Sequence, residues 1–322
     1  MRGFFLATLV YAVAAILFAV ASGQSAVETV SNLAFRLTVF LPPLAGIAAL
    51  AVAVCALTTR GRAFLSQGGR VGQICLAVVA AALFQAAFVA VKTAMPGIVP
   101  FYADPGLAQL DLLFHAGHAP WIAVHAAIPA VPVLAIDVIY VLVWGIVATG
   151  FPVLLAFDPD ATRQRRFVVL FFVVWVGCGN VLALAVMSAG PVYFDALTGT
   201  QRFAGLIDAL QTSGMAQSQI GALQDMLWEA YASGRNQVAS GISAFPSVHV
   251  AAATLLALYT RDRRPGLTVM AIAFLGAILI LSVYTGYHYA IDGYASIALV
   301  LLAARAWKRV DYGVERQVAR MA

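Results

Sequence analysis

Residues 282–304 read SVYTGYHYAIDGYASIALVLLAA. The second half is an unbroken apolar run, yet the first half holds His288 and Asp292, four residues apart. Ionisable groups are costly in hydrocarbon and mark function there by default. The stretch therefore reads as a membrane helix whose leading end does chemistry. A second stretch, residues 244–259, AFPSVHVAAATLLALY, has the same form. It sets His249 just after Pro246, a residue favoured in a first helical turn.

The rest of the chain supports a bilayer setting. Of 322 residues, 62% are hydrophobic and 10% charged, where a soluble domain carries about a quarter charged. The mean hydropathy is +0.91. So much apolar surface needs lipid as its solvent. Eight apolar runs are marked, near 3–22, 36–59, 71–94, 131–156, 167–189, 246–260, 266–286 and 288–306. All but the sixth approach the length that crosses a hydrocarbon core. The expectation is an all-α, polytopic membrane bundle of about eight transmembrane helices, in one domain spanning 1–322. Residues 1–70 form two N-terminal helices, 71–310 a catalytic core and 311–322 a cytoplasmic tail. The first run also has the look of a secretory signal, but its length favours a retained helix.

Cys55, Cys75 and Cys178 each sit inside an apolar run without C-x-x-C spacing, so neither a disulfide framework nor a zinc site is expected. The net charge of +5 is read as orientation rather than nucleic-acid binding. With a cytoplasmic N-terminus, the inner loops hold Arg2; Arg60, Arg62 and Arg70; Arg163, Arg165 and Arg166; and Arg261, Arg263 and Arg264. The tail adds Arg305, Lys308, Arg309, Arg316 and Arg320, leaving only Arg36, Lys92, Arg202 and Arg235 outside. That asymmetry places both termini in the cytoplasm. Segments 95–130 and 190–245 then face outward, to the periplasm, the cell exterior or an organelle lumen. Within the second, Phe203, Leu206, Ile207 and Leu210, and Ile220, Leu223, Met226 and Leu227, recur at helical spacing. They read as amphipathic surface helices dipping among acyl chains, with a lid as a further possibility.

Because the sixth run goes inward and the seventh outward, His249 and His288 emerge at one membrane face. Helix rise over the distances to Arg261 and Arg305 sets both near the outer headgroup layer. Two imidazoles divide the labour of phosphoryl transfer, one attacking phosphorus and the other protonating the leaving oxygen. A carboxylate one turn from the nucleophile fixes its tautomer.

PSVH at 246–249 followed by YTGYHYAID at 284–292 resembles the second and third motifs of the type-2 phosphatidic acid phosphatase superfamily. More narrowly it is similar to the branch containing inositol phosphorylceramide synthases. The resemblance implies His288 as nucleophile, Asp292 as its orienting carboxylate, His249 as general acid, a six-helix core and no metal or other cofactor. It also implies a phospholipid donor and a lipid or polyol acceptor. The family's arginine six residues before the third-motif histidine is Ser282 here, and its lysine-bearing first motif is absent. Phosphate still needs positive donors, and the candidates are Lys92 and Arg202, then Arg235. Ser247, which lacks a G-x-S-x-G setting, is assigned to capping or to a phosphate oxygen. Tyr284 is a candidate headgroup contact within an interfacial belt that also includes Tyr287, Tyr289 and Tyr294. Asp111, His115 and His118 share a helical face that could hold an ion, with His125 nearby. Within the same chemistry the rival to headgroup transfer is a lipid phosphate or polyprenyl diphosphate phosphatase; from another class it is a proton-coupled transporter, against which stands the clustering of ionisable residues at one surface.

Overall fold

Small residues decide how this bundle closes. In the computed structural model, which describes residues 1–128, 132–233 and 241–321 (side chains through 307), α1 (Arg2–Ala21), α2 (Ala26–Ala56) and α4 (Arg70–Ala94) pack together. Helix α4 is the most enclosed of the long apolar helices, with 72% of its apolar window buried. Its Ala77, Ala80, Ala81, Ala86, Ala87 and Ala90 let neighbouring backbones come close, as helices in lipid require. A short α3 (Thr59–Leu65) links α2 and α4, and two short helices, α5 (Asp104–Phe114) and α6 (Pro120–Ala127), follow. Then come α7 (Val133–Ala156) and α8 (Ala161–Ala185), each interrupted by π-helical turns, at Val138–Val143 and Val173–Leu182. Three short helices lie between α8 and the next long one: α9 (Pro191–Thr198), α10 (Ala204–Thr212) and α11 (Gln219–Ala232). The chain ends with α12 (Val248–Arg263), α13 (Thr268–Tyr284) and α14 (Ala290–Met321). No strand occurs among the described residues.

Among the described residues seven helices are long and apolar enough to cross a membrane, and the chain is an integral, multi-pass membrane protein. The eighth expected span, α12, has 16 residues and stands apart for a physical reason. Ala251, Ala253 and Leu255 are nearly or fully buried, so α12 is lined by protein more than by lipid. The second run also starts earlier than expected. Helix α2 begins at Ala26, capped by Ser25, and carries Arg36 as a buried residue within the helix rather than on an outer loop.

The surface helices depart from expectation too. Phe203, Leu206, Leu210 and Ile220 are buried in one cluster with Tyr140, Tyr284 and Tyr289. Their apolar faces pack inward over the ends of α7, α13 and α14 instead of dipping into acyl chains.

Candidate active site

Buried aspartates at the starts of other helices build the site. The first amides of a helix have no partner within it and carry its positive end. Asp111 of α5 accepts Ala290 N at 3.0 Å and Ile291 N at 2.9 Å, holding the first turn of α14. Asp104 accepts Ala189 N at 2.8 Å and Gly190 N at 2.9 Å just before α9, and also the Tyr289 hydroxyl at 2.9 Å. Asp137 receives Gln219 N and Ile220 N, both at 3.2 Å, at the start of α11. Burial pushes the Asp104 and Asp111 carboxyls above the ordinary range, while their amide hydrogen bonds pull the other way. Gly190 is required where it stands: its φ is +98°, and a Cβ there would lie 2.4 Å from the Tyr287 carbonyl oxygen.

The turn held by these contacts carries the candidate nucleophile, His288. His288 precedes α14 rather than lying on its face, so the expected helical pairing with Asp292 has a different origin. Asp292, in the first turn, reaches back to accept Tyr289 N at 3.0 Å, as in a capping box. The same Oδ2 lies 3.3 Å from His288 Nδ1, whereas Oδ1 is buried without a hydrogen-bond partner. Asp292 is fully buried and His288 is 5% exposed. His249, in the first turn of α12, meets His288 edge to face, with ring centroids 5.7 Å apart. The backbone of Ala244 lies within hydrogen-bonding reach of the His288 imidazole.

Two cations stand near these side chains. Lys92, near the end of α4, donates to the Ser243 carbonyl at 3.4 Å and lies close enough to act electrostatically on both imidazoles. Arg202 donates to the Ala108 carbonyl at 3.1 Å. It lines a cavity of about 310 Å³ together with Asp111, His118, Trp121, Phe203 and His288. Arg235 falls outside the described residues. Ser247 is fully buried and caps α12, its Oγ accepting Val250 N at 3.3 Å. Tyr284 is 2% exposed and stacks on His125, away from that cavity. The tyrosine belt is corrected likewise, since Tyr289 is also buried and only Tyr294 is exposed.

The suspected ion face at Asp111, His115 and His118 is otherwise engaged. Both Asp111 oxygens hold α14, while His115 Nδ1 donates to the Asp111 carbonyl at 2.6 Å and its Nε2 bonds Tyr294. Among the described residues no group of three or more histidine, cysteine or acidic side chains could hold a metal ion.

A family model described as the PAP2 superfamily matches residues 105–306, more than half of the chain. The chain belongs to the PAP2 superfamily. No curated protein and no solved structure matches it. PAP2 membership makes the chain an enzyme of the lipid phosphatase or phosphotransferase type. The PAP2 match contains Arg202, His249, His288 and Asp292 and begins after Lys92. The sequence reading missed Tyr140 and Trp144, which flank His249, and the helix-holding roles of Asp104, Asp111 and Asp137. Tyr140 and Trp144 do share a helical face, but the partner that gives the spacing meaning lies more than 100 residues away.

Proposed function

We propose that this PAP2 enzyme transfers a phosphate-bearing headgroup from a phospholipid donor to a lipid or polyol alcohol, as the inositol phosphorylceramide synthase branch does. The observation that carries the reading is the meeting of His249, His288 and Asp292 beside the cavity that Arg202 lines.

In the first step His288 Nε2 attacks phosphorus. The bond from phosphorus to the lipid oxygen breaks, and that oxygen leaves with the proton of His249. Asp292 accepts a hydrogen bond from the His288 Nδ1–H, keeping the attacking nitrogen unprotonated and steadying the charge as the N–P bond forms. In the second step the acceptor alcohol gives its proton to His249 as its oxygen takes the phosphoryl group from His288. Arg202 and Lys92 supply the positive donors that the phosphate oxygens need. The count of basic loop residues supports placing this end of the bundle outside, with both termini in the cytoplasm.

Hydrolysis uses the same steps with water as acceptor, and the exposure of Arg202 and His118 at the cavity favours it as the second reading. The test is to incubate the purified protein with phosphorus-labelled phosphatidate or phosphatidylinositol, with and without diacylglycerol, ceramide or free inositol. A new labelled phosphate ester that needs the alcohol, a diester from phosphatidylinositol or a monoester from phosphatidate, supports transfer, and free phosphate or a free phosphorylated headgroup formed without the alcohol supports hydrolysis. Full turnover with no acid-labile label on His288, trapped by rapid quenching, would sink both.

A further inference from the structure

His249 is an inner ring of an aromatic column. Tyr287 stacks on Tyr140 at 6.1 Å and 16°, Tyr140 on His249 at 4.6 Å and 1°, and His249 on Trp144 at 3.8 Å and 23°. Tyr140 and Trp144 are four residues apart on α7, so both present to one side, and the imidazole enters between them. Trp144 also fixes the backbone beneath, its indole N–H donating to the His249 carbonyl at 3.0 Å. The Tyr140 ring is held from its far edge, where its hydroxyl bonds Ser282 Oγ at 3.1 Å. Only an edge of the imidazole is left to face His288.

Aromatic faces are electron-rich and attract a cation laid against them, more strongly where water is excluded. A neutral imidazole gains stacking alone. The other charged or titratable groups facing His249 are Lys92 from α4, His288 from the turn before α14 and, behind it, Asp292. As cations, Lys92 and His288 both act against a proton on His249. Tyr140 and Tyr287 bring neutral phenols. The two ring faces are therefore the nearest groups that favour the charged form.

We propose that Tyr140 and Trp144 are positioning residues, a clamp that stabilises protonated His249 and holds its ring edge toward His288. Its use in proton delivery rests on the reading of His249 as acid and base, but the clamp can be tested without turnover. Diethyl pyrocarbonate reacts with neutral imidazole only, so its modification of His249 across pH, read by peptide mass spectrometry on the full-length protein in micelles, reports the protonation midpoint. Trp144→Leu is expected to lower that midpoint by about one pH unit, a tenfold loss of proton affinity. Trp144→Phe, which keeps a ring face, is expected to stay within about 0.3 unit of the parent. Tyr140→Leu and Tyr140→Phe repeat the comparison at the other face and separate ring from hydroxyl, and they carry the test should the Trp144 variants not fold. Equal midpoints in the aromatic and aliphatic variants, or a rise when a ring is removed, would overturn the clamp. An enzyme with no phosphoryl transfer but the expected midpoints would instead overturn the proposed reaction and leave the clamp standing.

Discussion

At the end of the bundle where α7 turns into α8 and α12 stops, charge meets opposite charge. Arg163 grips Asp158 with two hydrogen bonds of 2.6 Å, Arg263 and the Tyr259 hydroxyl close on the same carboxylate, and Arg166 pairs with Asp262. At the opposite end the carboxylates of Asp104 and Asp111 face backbone amides instead, and among the described residues neither Lys92 nor Arg202 has an ion-pair partner. The histidine–carboxyl contact there joins His288 to Asp292. Giving the acids to helix starts leaves Lys92 and Arg202 without an acidic partner among the described residues, as the proposed phosphate contacts require. The first end spends its charges on ion pairs, and the second keeps them for the proposed chemistry.

The largest expected effect lies at the second end. His288→Ala should lower turnover by about 10⁴-fold or more, because a nucleophile acting as part of a unit is not replaced by its neighbours. Initial rates on the substrate found by the product assay check this, and a variant retaining full turnover refutes the assignment. His249→Ala should cost about 10²- to 10⁴-fold with an alkyl leaving group. The loss should be far smaller on a p-nitrophenyl phosphate ester, whose leaving group needs no proton. Equal losses on both esters would remove His249 from the acid's role.

The arginines test the comparison directly. Arg202→Ala is expected to reduce kcat/KM by about 10- to 100-fold through the lost charge-assisted hydrogen bonds. Arg263→Ala should leave kcat/KM within about twofold and lower the melting temperature. A reversal of this pattern would break the division between the two ends.

Acid should separate them as well, with opposite signs. Burial alone would raise the Asp158 carboxyl, but the Arg163 guanidinium outweighs it and holds the group below its ordinary value. Its stabilisation is therefore complete above the unfolded value of about 4 and is lost as pH falls through the lower folded one. Asp104 and Asp111 stand above that value. They take up protons more readily folded than unfolded, so their contribution grows as pH falls toward 4. Asp158→Asn, by breaking a pair whose arginine is one-fifth exposed, should cost about 2 kcal/mol near neutrality and flatten the acid loss. Melting curves from pH 3 to pH 7 for the parent, Asp158→Asn and Asp104→Asn read out both signs. A parent whose acid loss survives unchanged in Asp158→Asn would refute the assignment.

Much of the fold was legible because lipid imposes a simple rule: long apolar runs become helices that satisfy their own backbone. The short outer helices were legible as helices, but not the side to which they turn. Periodicity in Phe203, Leu206 and Leu210 marks an apolar face without saying whether protein or lipid covers it. His249, His288 and Asp292 stood out because each is an ionisable group at the edge of an apolar run. Asp104, Asp111 and Asp137 gave no such signal, since their partners are amides 82 to 180 residues away.

Hydropathy and residue type are local properties, so they were enough to read a helical membrane protein and to mark two histidines and an aspartate that meet at one end of the bundle. Packing in three dimensions set His288 in a turn held by two distant carboxylates, His249 between two aromatic rings, and Arg202 rather than Tyr284 at the cavity. Those facts depend on contacts between segments far apart in the chain, and no local pattern encodes which distant surface a side chain will meet.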